Sequence, residues 1–140
     1  MRLRRAANIA NLSTVLGLGL AALGRGRLRR GPHDLLLAEG CRLPAFGAGA
    51  MTIGDVVLTT GRFADLVAAI PNVLEHESRH ADQWLRWGGL PFLPAYAIGA
   101  LWSLVVTGDR AAGNPFERAA GLADGGYREV PRRPLLRRRP

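Results

Sequence analysis

The sequence predicts an α+β fold built as one small domain. Three observations carry that expectation. Residues 35–60 are rich in aliphatic and β-branched side chains, broken by glycines into strand-length pieces. After them, Val73, His76, His80, Trp84 and Trp87 recur at spacings of three and four, the period of a helix with one inward face. Residues 90–106 and 114–120 then read as a hydrophobic helix and a short helix opened by its own cap. A chain of 140 residues supports one modest core. Within it, residues 1–30 form a basic and apolar arm, residues 31–129 the domain proper, and residues 130–140 a basic tail expected to be disordered.

The formal net charge is +8, every basic residue is arginine, and the arginines concentrate in runs at residues 2–5, 25–30 and 132–139. The stretch between the last two runs holds seven arginines and all eleven acids of the chain. A nucleic-acid reader would spread arginine along one folded face with aromatics interleaved, so the pattern argues against nucleic acid as a partner. The terminal charge is expected to serve solubility or attraction to an anionic membrane surface. Cys41 is the only cysteine, which excludes an intramolecular disulfide and a CxxC motif and agrees with a reducing compartment. The expected location is the cytoplasm or the periphery of the cell membrane.

In the arm, residues 6–24 carry no charge, and Asn8, Asn11 and Thr14 fall three apart, opposite Ile9, Leu12, Leu16, Leu20 and Leu23. This is the layout of a helix lying on a surface, docked on the domain or on lipid, rather than crossing a bilayer. A cleaved signal and a transmembrane anchor are the alternatives. No A-x-A site precedes Arg25, and arginines flank both ends.

The strands follow from residue 35. Around Gly54 and Asp55 the sequence fits either a tight hairpin or one bulged strand. Residues 63–70 predict a short helix, after which Pro71 can open a second at its first turn. On that second helix lies His76-Glu77-Ser78-Arg79-His80, an HExxH motif. One helical turn sets both imidazoles on one face to share a tetrahedral zinc, and the adjacent glutamate can act as general base on the zinc water. Two core histidines satisfied by hydrogen bonds are the plain alternative. Gln83 lies near the same face and is a candidate partner for a histidine N–H.

Zinc of this kind takes a third protein ligand. His33 is far upstream beside a turn, and the downstream carboxylates are Asp109, Glu117, Asp124 and Glu129. Glu117 is the best placed, in the first turn of a helix with Asn114 as N-cap and Pro115 at N1. The same spacing describes a capping box, in which the carboxylate folds back on its own helix start. Ligand and cap therefore stand as alternatives for Glu117.

An HExxH helix followed by a helix-borne glutamate resembles the gluzincin metallopeptidases, and "ERAA" at residues 117–120 resembles their glutamate-x-x-alanine segment. The path from "MTIGDVVLTTG" through "LEHESRHADQW" to "NPFE" is similar to small bacterial proteins of the HExxH type, including domains attached to toxin arrays. The resemblance covers residues 52–127. It implies zinc as cofactor, His76, His80 and Glu117 as ligands, Glu77 as catalytic base, and an unknown peptide substrate added along an edge strand, a role open to residues 56–60. This chain departs from the family by the charges of Glu75, Arg79 and Asp82 in and around the motif and by Gly121 after "ERAA", and Tyr96 and Tyr127 are its only oxyanion donors to consider. The favoured reading is a zinc-binding, gluzincin-like hydrolase of peptides. The alternative is a non-catalytic binding or membrane-associated module, with a protein partner, on the same scaffold.

Residues 90–106 contain no charge but fall short of the roughly 20 residues a bilayer span needs. A span there would also part His80 from Glu117. The expectation is a buried helix packed on the HExxH helix, with a membrane-facing hairpin as the alternative. Trp84, Trp87 and Trp102 suit either a core or a membrane interface.

Overall fold

The computed structural model describes residues 2–42 and 49–133. Residues 43–48, within the expected strand segment, and residues 134–140, in the expected disordered tail, lie outside the described residues. The fold is α+β. Helices α1 (Arg2–Ala10) and α2 (Ser13–Leu23) precede strands β1 (Arg27–Arg30), β2 (Leu36–Glu39), β3 (Met51–Ile53) and β4 (Val56–Leu58). Helices α3 (Phe63–Ala69), α4 (Val73–Arg86), α5 (Phe92–Thr107) and α6 (Pro115–Ala120) follow. Asn72 stands at the cap position of α4, so Pro71 precedes the helix instead of opening its first turn.

The strands form one sheet in the order β1-β2-β4-β3, with β2 and β4 parallel and the outer pairs antiparallel. Ile53 faces Val56 across a two-residue turn, which makes Gly54-Asp55 a hairpin and not a bulge. Gly54 has φ 63°, a left-handed value glycine adopts without strain. Val56, Val57 and Leu58 are all buried because both faces of β4 are covered. Val56 and Leu58 pack with Ala21, Trp84 and Phe92, while Val57, pointing the other way, packs with Leu35, Leu37, Phe63 and Ala81. The edge role expected of residues 56–60 is thereby overturned: β4 is paired on both sides, and the edges are β1 and β3. Part of the second arginine run is itself β1, exposed at each residue, and charged side chains on an edge strand oppose pairing with another chain.

The arm is built into the domain. α1 and α2 meet at a 74° bend, where Leu12 takes φ 67°. A surface-lying amphipathic helix buries its apolar side, but here Asn8, Ser13 and Thr14 are buried while Ile9, Leu12 and Leu23 are exposed, and of the expected apolar set Leu16 and Leu20 pack against the core. Hydrogen bonding explains the inversion: Asn8 Nδ2 donates to Ala81 O at 3.1 Å, and Thr14 Oγ1 donates to Asp55 Oδ2 at 3.1 Å. Arg4 follows the same logic. It is 5% exposed, its Nε lies 2.8 Å from the fully buried Asp55 Oδ1, and its Nη1 donates to Ser78 Oγ at 3.1 Å and Asp82 Oδ1 at 3.2 Å. This arginine of the first run is therefore a core residue, neither a solubilising nor a lipid-seeking charge.

α5 departs from expectation as well. Phe92, Gly99, Ser103, Val106 and Thr107 are buried, but Ile98, Leu101, Trp102 and Val105 are exposed. The helix rests on α6 and meets α4 chiefly through its first turn, where the Phe92 and Trp84 rings lie 5.2 Å apart. An all-apolar run encodes no preferred face, so its burial is decided by what α6 and the sheet leave uncovered. Among the described residues, no single helix is long and apolar enough to cross a membrane.

Candidate metal centre

α4 turns His76, Glu77 and His80 into the molecule, all three buried, and Glu117 in the first turn of α6 meets them, also buried. The cap alternative for Glu117 is not taken up: Asn114 Oδ1 alone caps α6, accepting from the Phe116 N–H at 3.0 Å. The Glu117 carboxylate points at the imidazoles instead, with Oε2 3.1 Å from His76 Nε2 and 3.4 Å from His80 Nε2.

Hydrogen bonds fix the state of each ring. His76 Nδ1 lies 2.9 Å from Gly121 O and 3.2 Å from Ala120 O, and a carbonyl only accepts, so Nδ1 carries the hydrogen. Gln83 Nε2 donates to Phe116 O at 2.9 Å, which leaves Gln83 Oε1 to accept from His80 Nδ1 at 2.8 Å. In the neutral rings both Nε2 atoms thus present lone pairs, and they lie 3.0 Å apart. The third atom is Glu117 Oε2, buried without a hydrogen-bond donor among the described residues, while Glu117 Oε1 accepts from the Tyr96 hydroxyl.

Three electron-rich atoms facing one another need something positive among them. A single added proton links only two of the three. Were both Nε2 atoms protonated, burial would still raise the Glu117 carboxyl, but hydrogen bonds from His76 and His80 would outweigh it and hold the group well below the usual carboxylate range. Burial would lower His80, yet the Glu117 hydrogen bond and the Glu77 charge raise it. A divalent cation joins all three atoms at once. Tetrahedral zinc with ligand bonds of about 2.0–2.1 Å sets its ligands about 3.3 Å apart, which the observed 3.0, 3.1 and 3.4 Å bracket. His76, His80 and Glu117 could therefore hold such an ion with little rearrangement.

The cluster opens on a cavity of about 290 Å³ lined by Thr52, Glu77, Leu93, Tyr96, Arg110 and Tyr127 among others. Glu77 Oε2 accepts from Thr52 Oγ1 at 2.6 Å. Thr52 lies on the edge strand β3, and its carbonyl accepts from Trp84 Nε1 at 2.9 Å. Burial, reinforced by Glu117, raises the Tyr96 and Tyr127 hydroxyls, so both remain neutral donors. Arg79, the charge inside the motif, is engaged outside the cluster, donating to Ala120 O at 2.8 Å and Asp124 Oδ2 at 2.6 Å. It ties α4 to the end of α6. His33 pairs with Glu75 at 3.1 Å and takes no part.

Behind His76 the chain passes close at Gly125, where a Cβ would fall 2.6 Å from the ring's Cε1. Thr52, Arg110 and Gly125 carried no sequence signal of a site. Tyr96, expected as an oxyanion donor, instead gives its hydroxyl hydrogen to Glu117 Oε1. No family model matches the chain, and neither a curated protein nor a solved structure matches it.

Proposed function

We propose that the chain binds one zinc ion through His76, His80 and Glu117 and acts as a hydrolase of peptide bonds, with Glu77 as general base. The observation that supports this reading is the convergence of two imidazole lone pairs and an unpartnered buried carboxylate oxygen beside a cavity that Glu77 also lines. When bound, the ion supplies Lewis acidity, lowering the pKa of water and favouring negative charge on a substrate oxygen. Glu77 accepts the proton that the attacking water gives up, with Thr52 orienting its carboxylate. Gln83 and the carbonyls of Ala120 and Gly121 hold the imidazoles in the tautomer that presents Nε2. Tyr127 and Arg110, both in the cavity wall, are the donors the chain offers to a developing oxyanion.

A non-catalytic module is the second reading, favoured by the Thr52 bonds that engage both Glu77 and the edge of β3. Metal analysis of protein purified without a nickel column, combined with Glu77→Gln, separates the two. As an enzyme, the wild type carries about one zinc per chain and cleaves a broad peptide mixture, and Glu77→Gln keeps zinc but loses cleavage by about 100-fold to 10,000-fold. A zinc-loaded but inactive wild type supports the module. A protein that neither carries zinc nor gains thermal stability from it ends both versions of the metal reading.

A further inference from the structure

We propose that the outer face of α5 is a docking surface for an anionic lipid bilayer. Its apolar side chains are displayed, not packed: Ile98 is 68% exposed, Leu101 63%, Val105 60% and Trp102 48%. Together with Leu93 and Leu104 they make one charge-free face along a 16-residue helix. The apolar surface continues past the helix start, where Leu90 and Trp87 are both 47% exposed and where Gly89 touches Asn11 at the α1–α2 bend. A contiguous apolar face of this kind on a soluble surface marks an interaction site.

Geometry and charge select the occupant. The helix is about 24 Å long, short of the roughly 30 Å hydrocarbon layer. Both its ends are buried in the domain, at Phe92 and at Val106 and Thr107, so it is held flat against the body. A flat apolar helix bearing tryptophan fits the headgroup boundary of a leaflet. The charges flanking it are basic: Arg86 precedes it, Arg110 follows it, and Arg133 lies against Gly108 with its N–H bonded to Val106 O at 2.7 Å. The neighbouring acid, Asp109, has Oδ1 directed to the backbone N–H groups of Ala111 and Ala112 at 2.8 Å. A net charge of +8 adds a long-range attraction to an anionic leaflet. A second copy packed face to face would set these arginines against one another, whereas an anionic leaflet complements them.

The proposal does not depend on the metal. Full-length protein is sedimented with vesicles of phosphatidylcholine alone and of phosphatidylcholine with phosphatidylglycerol, at low and high salt. Wild type should bind the anionic vesicles, and the double variant Ile98→Glu, Leu101→Glu should bind at least about tenfold more weakly with unchanged circular dichroism and zinc content. Because a surface variant can still misfold, an environment-sensitive dye is also placed at Ile98→Cys, Cys41 being buried. Its emission should rise at least about twofold on anionic vesicles, while the same dye at Arg62→Cys should stay unchanged. Wild type left in the supernatant, equal binding by the double variant, or an unresponsive dye at position 98 would each overturn the proposal. So would a dimer that the double variant dissolves while no vesicle is bound, which would make the face a contact between copies.

Discussion

The Tyr96 hydroxyl of α5 donates to Glu117 Oε1 of α6, so one oxygen of the carboxylate is held from outside while the other faces the imidazoles. This contact sets the angle at which Oε2 enters the cluster. Tyr96→Phe should therefore weaken zinc binding about tenfold to a hundredfold, the range for loss of a group that orients a ligand. Competition with a chromophoric chelator reads it directly. An unchanged constant would mean that packing alone orients Glu117.

Glu117→Gln asks a different question. α6 keeps its start in this variant, because Asn114 supplies the cap. Zinc affinity should fall at least about tenfold while far-ultraviolet circular dichroism is preserved. Full affinity in a folded variant would remove Glu117 from the ligand set.

Gly125→Ala probes the back of the site. The added methyl would lie 2.6 Å from Cε1 and 2.7 Å from Nε2 of His76, so ring or loop must move. The expected cost is about 1–3 kcal/mol of stability from overpacking. A loss of zinc affinity larger than that of a remote destabilising variant should accompany it. Urea unfolding of the metal-free protein and a zinc titration, compared side by side, measure the two effects.

Arg4→Met tests the docked arm. It would leave Asp55 buried with only Thr14 as a side-chain partner. Removing one member of a buried ion pair costs about 3–5 kcal/mol. The double variant Arg4→Met, Asp55→Asn should recover part of that loss in urea unfolding. A single variant as stable as wild type would show that Arg4 is not held in the core.

The local parts of the site were legible in the sequence. The spacing of His76 and His80 fixes one helix face, and Asn114-Pro115 places Glu117 in a first turn whatever the rest of the fold does. The hairpin at Gly54-Asp55 could be named but not chosen, since pairing decides it. What escaped depends on distant partners. The polar stripe of α1 and α2 faces inward because Asn8 bonds Ala81, 73 positions away, and Thr14 bonds Asp55, 41 positions away. β1 reads as a run of charge because an edge strand needs no apolar face. The exposure of α5 was hidden for the opposite reason: uniform hydrophobicity predicts burial, and only tertiary packing shows that half of it has no cover.

The Arg4 contact bears on the order in which the molecule can be assembled. A ribosome makes Arg4 long before Asp55, Ser78 and Asp82, and Glu117 later still. Until those acceptors emerge, the first helix is a cationic, partly apolar segment with nowhere to dock, available to chaperones or to a charged leaflet. Closure of the Arg4 cluster brings α1, the hairpin turn and α4 together, and the imidazoles still wait for α6. Maturation of the centre is thus tied to completion of synthesis through residue 117, and a nascent chain halted before that point would present two histidines without their carboxylate.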